Sequence, residues 1–272
     1  MAVFNKNELI LDRVRNLNVR DYETKRLLFR LVSLEEPSLA CTAEGEEVTD
    51  AIGALISMLY RTKRATFSAT ASLLSTDLLA LQYGTKKKVA DATNKIVDTT
   101  YEILTIEDGE VTLSETPINV AGADSVSSVK YIYSMEAGDI ATCYEVDTTA
   151  SADKFSISGK EITVPTGLTG KVYVEYEYET DSALEVSNKS NSFPEMVNLI
   201  IYAYFRDKCN ENLKYSGKII APKAKINPES IEIALTSTGK HPFEFNILSD
   251  YCDEEDPELF KIIISGDNTA NN

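Results

Sequence analysis

The stretch Lys171–Thr180, KVYVEYEYET, constrains the fold of this chain more than any other. Val172, Val174, Tyr176 and Tyr178 fall on one side of an extended backbone, and Glu175, Glu177 and Glu179 on the other. A helical period of 3.6 would scatter both sets, whereas a strand separates them cleanly. One face suits a core and the other suits water, which predicts a half-buried antiparallel strand with one negative wall.

Much of the chain beyond Tyr101 follows the same rule. EDGE around Gly109, flanked by YEILTI and VTL, is a tight-hairpin signal. ESIEIALTS sets Ile231, Ile233 and Leu235 against Glu232, Ala234 and Thr236, which predicts an amphipathic strand. HPFEFNIL turns Phe243, Phe245 and Ile247 inward, and ELFKIII supplies a last strand. PEMVNLIIYAYFRD is apolar on both sides and predicts a central strand buried on both faces. Upstream, KRLLFRLVSL and TDAIGALISMLY fit a helical stripe and a strand face equally well. STDLLALQYG predicts a short helix, with Ser75 or Thr76 as cap and Gly84 at its C-terminal end.

The expected fold is therefore mainly β: an antiparallel β-sandwich or barrel with one or two short helices and long loops. A single domain over residues 1–272 is expected, with a basic N-terminal segment, residues 1–30, that is mobile before assembly. That segment carries Lys6, Arg13, Arg15, Arg20, Lys25, Arg26 and Arg30.

Composition narrows the function. With 272 residues, 43% of them hydrophobic, the chain can bury a core without staples. No apolar run approaches the roughly 18 residues of a membrane span, and MAVFNKNELILDR lacks the apolar stretch of a secretory signal. These features predict folding in a cytosol, and hence that Cys41, Cys143, Cys209 and Cys252 are reduced, buried thiols. The net charge of −16 argues against wrapping DNA, because affinity for phosphates comes mainly from Lys and Arg.

The usual chemical signatures are missing. His241, the single histidine, lies between Lys240 and Pro242 and reads as an ordinary surface residue. The sequence contains no C-x-x-C pair, G-x-S-x-G, P-loop or dinucleotide fingerprint. CDEEDPE, from Cys252 to Glu258, collects five acids, but its spacing is not that of a calcium loop and it reads as a solvated turn. A glycosidase would need a sugar cleft, commonly aromatic, and the chain has no Trp. No enzymatic activity, cofactor or metal is expected.

Three blocks carry a family likeness. TKRATFSATASLLSTDLLALQYG, ADKFSISGKEITVPTGLTGKVYVEYEYET, and GKIIAPKAKINPESIEIALTSTGKHPFEFNILSDY with the following ELFKIII together resemble bacteriophage major tail proteins, also called tail tube proteins. They cover about half of the chain. The resemblance implies a virion protein of the tail, assembled in the host cytoplasm. Its copies would form hexameric rings that stack into the tube through which DNA passes into the host without specific binding. Its partners would be itself and other tail proteins, such as tape measure, terminator and baseplate components. Glu175, Glu177 and Glu179 become candidates for the lumen wall. Lys86, Lys87 and Lys88 become candidates for contact with Glu254 and Glu255 across subunits. The alternatives are a head–tail connector or decoration protein, and after those a carbohydrate-binding module or hydrolase.

Overall fold

The computed structural model describes residues 8–119, 127–209, 213–229, 231–233, 239–249 and 258–266. In chain order the elements are β1 (Leu9–Asp21), β2 (Leu27–Leu31), β3 (Leu34–Thr49), β4 (Leu55–Ala71), α1 (Thr76–Tyr83), β5 (Lys88–Val89) and β6 (Ile96–Thr105). There follow β7 (Glu110–Thr112), β8 (Tyr131–Glu136), β9 (Asp139–Val146), β10 (Lys154–Ser158), β11 (Glu161–Thr163), β12 (Lys171–Thr180) and β13 (Leu184–Glu185). The last are β14 (Met196–Asp207), β15 (Lys214–Ile226), β16 (His241–Ile247) and β17 (Lys261–Ser265). The protein is mainly β, as its periodicities require. The chain forms two compact units: Met1–Lys87 with Val186–Asn272, and the intervening Lys88–Glu185.

The first unit is an eight-stranded sheet in the order β2-β1-β14-β15-β16-β4-β3, with β17 also paired to β15. β14 is central, between β1 and β15, and five consecutive residues from Val197 to Ile201 are buried. The core gathers Leu17, Val19, Phe67, Leu199, Ile201, Phe245 and Ile247. Each fully buried large apolar side chain contributes about 1.5–3 kcal/mol.

Both ambiguous runs resolve as strands. In β2, Phe29 and Leu31 are buried while Leu28 and Arg30 face outward, a period of two imposed by pairing with β1. In TDAIGALISMLY a turn intervenes. Asp50 Oδ1 accepts from the backbone N–H of Ile52 at 2.9 Å and of Ala54 at 2.8 Å, and β4 begins at Leu55. Of ESIEIALTS, the described residues 231–233 are not in a strand, and residues 230 and 234–237 lie outside the described residues.

Helix α1 is capped by Ser75, whose Oγ accepts from Leu78 N–H at 3.3 Å. It is closed by Gly84 at φ 64°, with Thr85 N–H reaching Ala80 O at 2.9 Å. A Cβ on Gly84 would sit 2.3 Å from the Phe193 backbone, so glycine is required there both by conformation and by space.

The second unit is a seven-stranded sheet in the order β6-β12-β8-β9-β10-β11-β7. Its two end strands, β6 and β7, are joined through Asp108 (φ 51°) and Gly109 (φ 83°). Two positive φ values fit a type I′ turn, and Glu107 and Glu110 exchange backbone hydrogen bonds of 3.0 and 2.9 Å across it. The sheet thus nearly closes as a barrel around Ile132, Phe155, Ile162, Val172, Val174 and Tyr176. At one point of the wall the Tyr176 hydroxyl donates to Glu102, which also accepts from Ser114 N–H at 3.0 Å. Burial and this carboxylate push the Tyr176 phenol up to about 12. A short ladder, Lys88 with Glu185 and Val89 with Leu184, pairs the two ends of the unit.

Candidate assembly surfaces

β3 and β4 form a hairpin much longer than the core needs. Their pairing runs from Leu34 with Ala71 to Thr49 with Leu55. Near the base, Ala65, Phe67 and Ala69 are buried; beyond Cys41, residues 41–49, 55–60 and 62–64 are all exposed. The eight residue steps from Cys41 to Thr49 span roughly 27 Å of strand. A two-stranded ribbon without a core beneath it is marginally stable in water.

The ribbon is also apolar where solvent alone would favour polar residues. Ile52 is 90% exposed, Tyr60 68% and Ile56 66%, with Leu55, Met58 and Leu59 beside them. Register places Gly45 opposite Tyr60 and Glu47 opposite Met58. A Cβ on Gly45 would lie 3.0 Å from Met58 Sδ and 3.1 Å from Tyr60 Cε1, so the glycine lets both side chains lie across the ribbon. An exposed apolar patch of this kind marks a surface made for another protein.

The same hairpin ends the sheet. β3, 16 residues long, has only β4 as a strand neighbour among the described residues, and the five-residue β2 ends the other side. Pro37 falls within a register shift between Glu35 and Ser38, with Glu36 at φ 49°. Past that irregularity the backbone continues as an open edge, a template for pairing with a further strand.

The residues singled out from sequence lie as follows. Glu175, Glu177 and Glu179 are exposed on β12, in the Lys88–Glu185 unit. Glu175 accepts from the Tyr173 hydroxyl at 3.3 Å, and Glu179 lies 3.7 Å from Lys95. Lys87 pairs with Asp77 of α1 at 2.5 Å and Lys88 with Glu185 at 3.0 Å, so two of the three lysines hold acids of their own chain. Lys86 makes no ion pair among the described residues. Glu254 and Glu255 lie outside the described residues.

Two expectations are corrected. His241 is not a surface residue: it is fully buried, with Nε2 2.6 Å from Gln82 Oε1 of α1. It opens β16, where alternation turns positions 241, 243, 245 and 247 inward. Cys41, Cys143 and Cys209 are free but exposed rather than buried, because each sits on a solvent-facing position of its strand or turn. Cys252 lies outside the described residues. Among the described residues no group of His, Cys, Asp and Glu is arranged to hold a metal ion, and no helix is long and apolar enough to cross a membrane.

The alternation of Ile52, Ala54, Ile56, Met58 and Tyr60 is visible in the sequence, but their exposure is not. Alternation reports that a face is apolar; it does not report whether anything in the same chain covers it.

Among the described residues, then, the protein is a mainly β protein with an open sheet edge beside an exposed apolar ribbon. The profile of the YomU/Tube protein family matches residues 9–262, and the chain belongs to that family. It is a phage tube-like structural protein, in agreement with the resemblance carried by its three sequence blocks. No curated protein matches the chain.

Proposed function

We propose that this protein polymerises into the tail tube of a bacteriophage, as stacked rings of six whose bore conveys DNA to the host. The observation that carries this reading is the β3–β4 hairpin, whose apolar residues and open edge have no cover among the described residues. A neighbouring copy supplies both missing parts: a strand for the edge, and apolar surface for Ile56, Met58 and Tyr60. Ring closure then removes the open edges that would otherwise pair at random. Glu175, Glu177 and Glu179 form a surface that repels DNA phosphates as the genome moves. Tape measure, terminator and baseplate proteins meet the ends of such a tube, in a particle assembled in the host cytoplasm.

Electron microscopy of the pure protein at high concentration tests the proposal. Stacked rings or tubes support it. Monomers that decorate capsids without forming tubes would transfer the protein to the connector or decoration class.

A further inference from the structure

We propose that β17 of one copy of this chain pairs with the open edge of β3 in another copy, beside Gly45. This pairing rests on the reading of the chain as a self-assembling protein, and names the strand that completes the edge.

β17 is itself an incomplete strand. Its register runs from Ser265 opposite Ser216 to Lys261 opposite Ile220, and β15 is its one strand neighbour among the described residues. Successive strand residues point to opposite faces, yet Ile262 is 53% exposed and Ile263 40%. Among the described residues, then, both faces and one edge of a β-branched apolar strand are open. Proteins cover or charge such edges, because they pair with other chains. Leu259 and Phe260, just before it, pack on the core and hold it in place. β2, at the far end of the sheet, differs. It buries Phe29 and Leu31 and turns Leu28 and Arg30 outward, as an ordinary edge strand does.

β3 offers the matching surface. Met58 and Tyr60 belong to β4, but a Cβ on Gly45 would lie 3.0 Å from Met58 Sδ and 3.1 Å from Tyr60 Cε1. Both side chains therefore lie over β3 at Gly45, and a strand added to its edge abuts them. Isoleucines fit that surface and are covered by it.

Charge selects the same pairing. β15 and β17 together hold five lysines and no acid, whereas β3 holds five glutamates and no cation. Lys218 is exposed opposite Ile263, and Glu46 and Glu47 follow Gly45 directly. Glu44 and Lys261 hold partners in their own chain, Arg64 at 3.1 Å and Glu258 at 3.0 Å. Two β3 edges would set glutamates against glutamates, and two β17 edges would gather lysines. Like charges directly opposite destabilise a sheet. One β3 with one β17 brings opposite charges together. Such a contact uses different surfaces on the two copies, so it repeats from copy to copy.

A benzophenone cross-linker at position 47 of the full-length protein tests the pairing. Assemblies of mixed isotope-labelled and unlabelled chains are sedimented, irradiated and mapped by mass spectrometry. Adducts between chains should fall within Lys261–Ser265. Adducts within Leu27–Leu31 or Leu34–Thr49 of the other chain, or none between chains, would overturn the proposal. Independently, Glu46→Lys with Glu47→Lys should raise the concentration at which assembly begins about tenfold, and adding Lys218→Glu with Lys261→Glu should restore it. Unchanged assembly by the first pair overturns the proposal, as does a loss that the second pair leaves in place. The adduct is read in whatever assembly sediments. Oligomers that carry it without forming tubes keep the pairing and remove the tube; tubes with adducts elsewhere remove the pairing alone. Chains that stay monomeric at millimolar concentration remove both.

Discussion

Single residues show where the first unit is tightly built and where it is not. His241 Nε2 faces an amide oxygen, so it must donate, which leaves Nδ1 as the acceptor; that atom has no partner among the described residues. Protonation would add a buried N–H with nothing to receive it, and burial accordingly holds the imidazole below its ordinary value. The unfolded chain binds the proton more readily than the folded one. The contribution is therefore fully present above the unfolded value of about 6.5 and is lost as pH falls through the folded value, by up to about 1.4 kcal/mol per pH unit. Melting temperatures between pH 7.5 and 5 should fall more steeply for wild type than for His241→Gln; parallel curves would remove the histidine from the account. Glycines supply a second contrast. Gly53, at φ 85°, has nothing within 4 Å of a new Cβ, whereas Gly84, at φ 64°, would strike backbone. Gly53→Ala should cost about 1 kcal/mol of left-handed strain. Gly84→Ala should cost clearly more, read from urea midpoints, because the Phe193 segment must also move.

At the scale of elements, the β3–β4 ribbon separates stability from assembly. Its outer half lies outside the core of its own unit, so Ile56→Lys with Tyr60→Lys should change monomer stability by no more than about 0.5 kcal/mol. The same pair should abolish tubes or rings in negative stain. Normal tubes from a folded double variant would show that another surface drives polymerisation. The lysine run divides in the opposite way. Lys87 and Lys88 anchor Asp77 and Glu185, so reversing them should lower the melting temperature slightly, since each exposed pair contributes about 0–1 kcal/mol. Lys86→Glu alone should leave melting unchanged. If Lys86 meets an acid of another copy, as proposed for Glu254 and Glu255, that variant should slow tube growth, and Glu254→Lys with Glu255→Lys should restore it.

At the scale of the whole molecule, the Lys88–Glu185 unit enters and leaves through one antiparallel ladder, β5 with β13. Paired residues in such a ladder lie about 5 Å apart, so a short Gly linker can replace the unit without stretching the remainder. The unit has a core of its own around Phe155 and Tyr176. Residues 88–185 produced alone should unfold cooperatively on heating, and the linked remainder should keep its β circular dichroism. A fragment without a melting transition would show that the two units depend on each other.

Much of this architecture was legible without coordinates, because it rests on neighbours in sequence. Period-two alternation set the faces of β12 and β16. The apolar run set β14 as a central strand. Ser75 and Gly84 bounded the helix, and Asp108–Gly109 fixed the hairpin that nearly closes the barrel. Each of these depends on dihedral preferences and side-chain spacing within a few residues. Tertiary structure decided the rest. Residues 27–31 became a strand only because β1 lies alongside. His241 found its hydrogen-bond partner in Gln82, 159 positions earlier in the chain. The cysteines proved exposed, and β17 proved to have β15 as its one strand neighbour among the described residues, through pairings that no local pattern encodes. The sequence alone determined which residues would alternate; only the assembled sheet, by choosing distant partners for its strands, determined which faces and edges were left uncovered for other molecules.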